Sequence, residues 1–257
     1  FELKPYDELN RLGLTEAAEH EARTSYPDNT GMLVVEQVIP GSPADGKLEP
    51  GDILVRVNGE LLTEFVPLAA IFDAHVGEQI AIDLERGGRA ISADVEVGDL
   101  HAVSPDEFLE FGDAIVHDLS YQQARHYNRQ IEGVYVANPG YMFSRSAIPR
   151  GAVISEVAGE PVGNIEDLKV QLADLADGDR ATFRYNTIDD PRNSVVRSVE
   201  MDRTWFPVRH CKRDDATGVW PCEDLAAGPE PTPPEPGSTQ FTRNGDSRVN
   251  ALIPSLA

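Results

Sequence analysis

Short apolar runs in the first hundred residues are separated by turns that contain glycine and proline. Residues 32–38 are apolar and rich in valine, which is typical of a buried strand. Ile53, Val55 and Val57 alternate with their neighbours, and this alternation predicts a second strand. Asn58-Gly59 follows directly and favours a two-residue hairpin turn of type I′.

The remaining pattern of this region predicts helices and further strands. A short helix is expected over 44–48 and a longer one over 66–75, where apolar residues recur at helical spacing. Strands are expected over 80–84 and 91–97. The fold class is therefore mostly β with short helices (α+β), built as a small, partly open β-barrel that the helices cap.

The whole pattern occurs twice, with a period near one hundred residues. The aligned stretches are Gly31–Val35 with Gly133–Ala137, Gly51–Glu60 with Gly151–Glu160, Val66–His75 with Ile165–Leu175, and Gly77–Leu84 with Gly178–Tyr185. Order and spacing both persist, so the chain is predicted to hold two copies of one domain. The predicted copies are 1–98 and 99–205, followed by an appended segment, 206–225. Residues 226–257 are predicted to be a proline-rich linker and the start of a further domain.

Composition excludes several classes of partner. Asp and Glu number 44 against 22 Lys and Arg, a formal net charge of −22. Such a surface repels nucleic-acid phosphates and anionic lipid, and no apolar run is long enough to span a bilayer. We therefore expect no nucleic acid partner, no membrane insertion and no cofactor.

The two cysteines, Cys211 and Cys222, lie in one short stretch. A disulfide between them would suit an oxidising compartment, and we favour it slightly over two free thiols. A zinc site would need about four ligands, and only His210 stands beside the two cysteines, so no metal site is predicted.

The stretch VIPGSPADGKLEPGDILVRVNGE (38–60) resembles the PDZ domains of HtrA/Deg serine proteases. The second copy carries DLHAVSPDEFLEFGDAIVHDLSYQQARHYN (99–128) and GVYVANPGYMF (133–143). These segments resemble the long branch of the family in which a PDZ pair stands between two trypsin-like domains. The second copy lacks the G-S-P-A motif and has Gly151-Ala152 in place of the usual Gly-Asp.

The resemblance implies a function as well as two PDZ-like barrels in tandem. It implies a pair that recognises C-terminal or exposed hydrophobic peptide segments, or unfolded protein, for neighbouring trypsin-like protease domains in protein quality control. The alternative is a structural spacer whose grooves are closed. Self-association into a homo-oligomer stays open. A bacterial periplasm or cell envelope is favoured as the compartment, with the nucleus or a plastid as alternatives.

The resemblance also places candidate binding residues, because a PDZ domain binds a peptide as an added strand between a sheet edge and a helix. In the second copy the carboxylate-binding loop and the start of the groove strand would be Phe111, Gly112, Asp113, Ala114 and Ile115. Leu168 and Leu172 would face this groove or, alternatively, belong to the core. In the first copy the loop would be Arg11, Leu12, Gly13 and Leu14, with Leu68 and Phe72 on the helix. Gly13 is equally consistent with the end of a helix.

No catalytic residue is predicted in this chain. The family's protease domain needs a serine in a G-N-S-G-G motif, and that motif is absent here. His117 and Asp118 are adjacent on a predicted strand, so their side chains should point to opposite faces, and both are expected at the surface. The parent protein is nevertheless expected to be a serine endopeptidase.

Overall fold

The computed structural model describes residues 1–225, which form two antiparallel sheets. The first copy contains β1 (Glu2–Pro5), α1 (Tyr6–Leu12), α2 (Glu16–Ser25), β2 (Gly31–Val34), β3 (Ile53–Val57), β4 (Glu60–Leu61), α3 (Phe65–Ala74), β5 (Gln79–Arg86) and β6 (Arg89–Glu96). The strand order is β1-β2-β3-β5-β6, and β4 pairs with β3.

The second sheet is built from the rest of the described chain. Its elements are β7 (Glu107–Phe111), β8 (Ala114–Asp118), α4 (Tyr121–Tyr127), β9 (Val134–Asn138), α5 (Gly140–Arg145), β10 (Ala152–Val157), β11 (Glu160–Pro161), α6 (Ile165–Ala173), β12 (Arg180–Thr187), β13 (Asp190–Glu200), β14 (Arg209–Lys212) and β15 (Cys222–Asp224). The strand order is β13-β12-β10-β9-β8-β7-β14-β15, and β11 pairs with β10.

The two copies have the same fold, mostly β with partly open, PDZ-like barrels. Leu54 lies opposite Leu84, and Ile154 lies opposite Tyr185 in the corresponding pair of strands. Both pairs are followed by a β-bulge at the same place. Because bulges locally bend a strand, a shared bulge gives both barrels the same curvature.

Local sequence signals explain many of the element boundaries. Thr15 caps α2 by accepting a hydrogen bond from the Ala18 amide at 3.3 Å, and Ser120 forms a capping box with Gln123 at the start of α4. Asn58 and Gly59 have φ values of 51° and 82°, as a type I′ turn requires.

Two predicted elements differ from the structure. The strand expected over 32–38 ends at Val34, and residues 44–48, expected to be a helix, form consecutive turns. Pro40 and Pro43 flank a turn that lies between the end of the strand and residue 44. Their fixed φ angles favour a turn over a continued strand.

The segment 206–225 extends the second sheet. β14 pairs with β7, and β15 pairs with β14, where Cys211 lies opposite Cys222. The two cysteines form a disulfide. The predicted linker, 226–257, lies outside the described residues. Among residues 1–225, no helix has the length and apolar composition to cross a membrane.

Candidate functional site

Strands β1 and β8 occupy the same place in the two copies. Lys4 lies opposite Met32, and Asp118 lies opposite Val134. Met32 and Val134 each follow the first glycine of the repeat directly. The groove strand of the first copy is therefore Glu2–Pro5. The candidate loop at 11–14 placed the groove after the first helix, whereas the structure has the groove strand before that helix.

Strand β8 is paired along both edges. On one side it pairs with β9, and on the other it pairs with β7, where Leu109 lies opposite Val116. A peptide would need that second edge. Leu109 and Phe111 of β7 are buried in one core cluster with Leu168 and Leu172 of α6. The groove predicted for the second copy is thus filled by the chain's own strand, and its two leucines are core residues.

The predicted carboxylate-binding loop of the second copy, Phe111 to Ile115, is instead a two-residue hairpin turn and its flanking strand residues. Gly112 and Asp113 have φ values of 54° and 65°, which both belong to a type I′ turn. The Gly112 carbonyl accepts hydrogen bonds from the amides of Tyr141 at 3.0 Å and Met142 at 3.1 Å. This tight turn is covered by α5 and leaves no room for a nest of free N–H groups.

The predicted loop of the first copy, Arg11, Leu12, Gly13 and Leu14, is the end of α1. Gly13 has φ of 103°, and its amide donates to the Asn10 carbonyl at 3.3 Å. The Leu14 amide donates to the Leu9 carbonyl at 2.9 Å. Both amides are used by the helix end, as in a left-handed C-cap, so they cannot bind a carboxylate.

The outer edge of β1 has no strand partner among residues 1–225. Helix α3 of the same copy is almost entirely apolar, and its Phe65 and Val66 side chains are 47% and 79% exposed. Leu68 is buried in the core, whereas Phe72 is half-buried and packs on the same cluster as Phe1. Of the two α3 residues predicted to face this groove, Phe72 keeps a partly accessible surface.

Comparison with known proteins identifies the fold that these strands build. The PDZ-like domain family matches residues 102–178, and the PDZ domain family matches 34–86. Protease Do-like 7 of Arabidopsis thaliana is 40% identical over 246 residues, which is 95% of this chain and 22% of that protein. Pro-apoptotic serine protease nma111 of Aspergillus terreus is 41% identical over 240 residues, 93% of this chain and 23% of that protein.

This chain holds two PDZ domains and is homologous to HtrA-like serine proteases. The resemblance seen in the sequence motifs is confirmed, and so is the PDZ fold of both copies. The chain spans less than a quarter of the length of these relatives, whose names describe proteases.

His117 and Asp118 of the second PDZ domain are half-buried, whereas the sequence predicted both at the surface. The Ile165 amide at the start of α6 donates to Asp118 Oδ1 at 2.5 Å. The pKa of Asp118 is raised to about 6, mainly by burial and to a smaller extent by the nearby charge of Glu107, although the hydrogen bond from Ile165 lowers it. Burial also lowers the pKa of His117. The Asp118 carboxylate thus connects β8 to the start of α6, whereas the His117 ring lies beside Tyr135 of β9.

Asp118→Asn should change the pH dependence of stability. A raised carboxyl pKa favours folding below the ordinary value near 3.8, and this contribution is lost as pH rises through about 6. Asparagine still accepts the Ile165 amide but carries no charge. We expect the variant's melting temperature, relative to the parent's, to be higher at pH 7.5 than at pH 4 by roughly 3–5 °C. Thermal unfolding at the two pH values measures this, and Glu160→Gln, at an exposed position of the same domain, is the control. A pH-independent difference would contradict it.

One cluster of metal-ligand residue types lies at the edge of this domain. Glu107, Glu166 and His210 each bring a ligand atom to within 4.8 Å of the others. His210 Nε2 is 2.7 Å from a Glu107 oxygen, and Nδ1 is 3.3 Å from a Glu223 oxygen. Both ring nitrogens of His210 therefore have a carboxylate partner, Glu107 or Glu223. The cysteines considered as zinc ligands beside His210 are bonded to each other.

Proposed function

We propose that the first PDZ domain binds an extended, apolar peptide segment by strand addition to β1, with α3 as the opposite wall. The free edge of β1 is the observation that carries this proposal, because the equivalent strand of the second domain is paired on both sides. An unpaired edge offers N–H and C=O groups to an added strand. Binding of this kind is typically weak, with Kd of about 1–100 μM.

The apolar wall supports a preference for hydrophobic segments. Phe65, Val66 and Phe72 keep accessible surface on α3, a helix in which Asp73 is the single charged residue. Burial of one large apolar side chain of a ligand contributes about 1.5–3 kcal/mol.

The proposed role includes no catalysis by this chain. A serine nucleophile needs a histidine within hydrogen-bond reach, and among residues 1–225 no serine hydroxyl hydrogen-bonds to a histidine ring. The bound segment would be presented to trypsin-like domains of the parent protease in protein quality control. The Cys211–Cys222 disulfide supports an oxidising compartment such as a periplasm or cell envelope.

The second PDZ domain is better suited to assembly than to peptide capture, which was the alternative reading of the sequence. Its groove is filled by β7, and it contacts the first domain directly. Gln37 Nε2 donates to the Arg125 carbonyl at 2.9 Å and to Asn128 Oδ1 at 3.0 Å. Arg125 also lies 3.8 Å from a carboxylate oxygen of Glu36. We propose that this domain holds the first in position.

Phe72→Asp should weaken peptide binding about tenfold or more, because it puts a charge on the apolar wall of the first groove. The probe is a seven-residue peptide of alternating valine and threonine, with either a free or an amidated C-terminus, titrated by calorimetry. The matched control is Val170→Asp, an exposed position on α6 of the second domain. This control should leave the affinity unchanged.

Two further outcomes make the test decisive. Alternate N-methylation of the peptide removes the donors needed for strand pairing, so the methylated peptide should not bind. Equal binding of the methylated peptide would contradict strand addition, and equal losses in the Phe72 and Val170 variants would contradict the first groove. Circular dichroism of both variants checks that they are folded.

A further inference from the structure

A cavity of about 390 Å³ lies beside the β7–β8 turn, away from the groove of the first domain. One row of neighbours across four strands lines it. Ile115 lies opposite Glu110, Glu110 opposite Arg209, and Arg209 opposite Asp224. Directly opposite residues of antiparallel strands share a face, so these four side chains stand on the same side of the sheet.

The loop before β14 forms the other wall. Its Trp205 side chain is 79% exposed, and Phe206 also lines the cavity. The loop is anchored at its start, where the Arg203 guanidinium donates to the carbonyls of Leu172 at 2.6 Å and Leu175 at 2.7 Å. An anchored loop thus holds a large indole in water, where an aromatic ring gains nothing unless a ligand covers it.

The charges of this cavity favour a cation. Glu110, Asp113 and Asp224 line it against a single basic residue, Arg209, which is ion-paired with Glu110. Within residues 1–225, no ion pair joins Asp113 or Asp224 to a basic side chain. Two uncompensated carboxylates repel a peptide's terminal carboxylate. Together with the exposed indole face they attract a positively charged group.

We propose that this cavity binds an arginine or lysine side chain from an extended segment of a partner polypeptide. The cationic head lies over the Trp205 ring and faces Asp113 and Asp224, while its aliphatic stem packs on Ile115 and Phe206. The formal net charge of −22 draws a basic segment toward the chain from a distance. The site is separate from the groove on β1, so either can exist without the other.

Tryptophan fluorescence tests the proposal directly, because the chain has two tryptophans and Trp220→Phe leaves Trp205 as the reporter. The probe is a six-residue peptide of alternating arginine and glycine, blocked at both ends. The matched control peptide carries citrulline, which is uncharged and nearly isosteric, in place of arginine. We expect a saturable change in Trp205 emission with the arginine peptide and none with the citrulline peptide. Equal responses would overturn the proposal.

Calorimetry with variants of the full chain separates this site from general charge attraction. Trp205→Leu, and separately Asp113→Asn with Asp224→Asn, should each weaken binding of the arginine peptide by about threefold to tenfold. The control is Glu60→Gln with Glu78→Gln, the same change in charge at exposed positions of the first domain. Equal losses in the control would show non-specific attraction and overturn the site. Equal affinity for arginine amide alone would overturn a polypeptide ligand.

Discussion

Asp52→Ala is expected to lower the free energy of unfolding of the first PDZ domain by about 3–5 kcal/mol. Asp52 is 1% exposed, and its two carboxylate oxygens accept from Arg86 Nε at 2.6 Å and Nη2 at 2.7 Å. Oδ2 also accepts from the Glu49 amide at 2.8 Å. Removal of the carboxylate leaves the Arg86 guanidinium and the Glu49 amide without their buried partner and opens the turn before β3.

The second domain supplies the matched control for this experiment. Ala152 and Thr187 stand at the positions that correspond to Asp52 and Arg86, so both members of the pair are replaced together. Asp52→Ala combined with Arg86→Thr should therefore recover part of the lost stability. Urea unfolding followed by circular dichroism measures both domains, whereas both tryptophans lie in the segment 205–220 and report on the second. A double variant less stable than Asp52→Ala would contradict this account.

Phe111→Ala is expected to cost the second domain about 3–5 kcal/mol. The ring is 2% exposed and meets Phe143 edge to face, with centroids 5.1 Å apart, and Phe143 in turn meets Phe183 at 5.5 Å. Loss of the Phe111 ring leaves a cavity beneath β7 that the neighbouring strands cannot fill.

The control for this prediction lies on the same strand. Phe108 is half-buried and packs on Trp220 at 5.4 Å, outside the main core, so Phe108→Ala should cost about 1 kcal/mol. Urea unfolding by circular dichroism compares the two variants. A loss below about 1 kcal/mol for Phe111→Ala would mean that β7 is held weakly in the second groove and that a peptide could displace it. That groove should then be tested for peptide binding.

The pattern of apolar and polar residues predicted the elements that depend on interactions between residues close together in the sequence. The strand Ile53–Val57 agrees with its prediction, as do the Asn58-Gly59 turn and the helix α3 to within a residue. Each depends on interactions a few residues apart, namely strand alternation, a positive-φ turn and helical spacing. Because the sequence repeats, most of these elements could be predicted for the second copy by alignment with the first.

The candidate grooves were harder to predict because they depend on which strand pairs with which. Gly112-Asp113 is a two-residue hairpin signal like Asn58-Gly59, but the family resemblance predicts a carboxylate-binding loop at this position. Phe1, Leu3 and Pro5 alternate with Glu2 and Lys4, a strand pattern that was too short to stand out. No local rule states that β7 fills one groove while β1 leaves the other open.

The pairing of β7 with β14 has a consequence for the order of synthesis. Arg209 and Glu110 lie 99 residues apart in the chain, so the second sheet cannot be completed until about residue 224 has left the ribosome. The first sheet needs only residues 2–96. Contacts so distant in sequence form slowly, and amino-terminal domains generally fold first during synthesis. In a nascent chain the first sheet would thus be complete, with the edge of β1 free, before β14 is available to pair with β7. During that interval the second domain is the one at risk of mispairing.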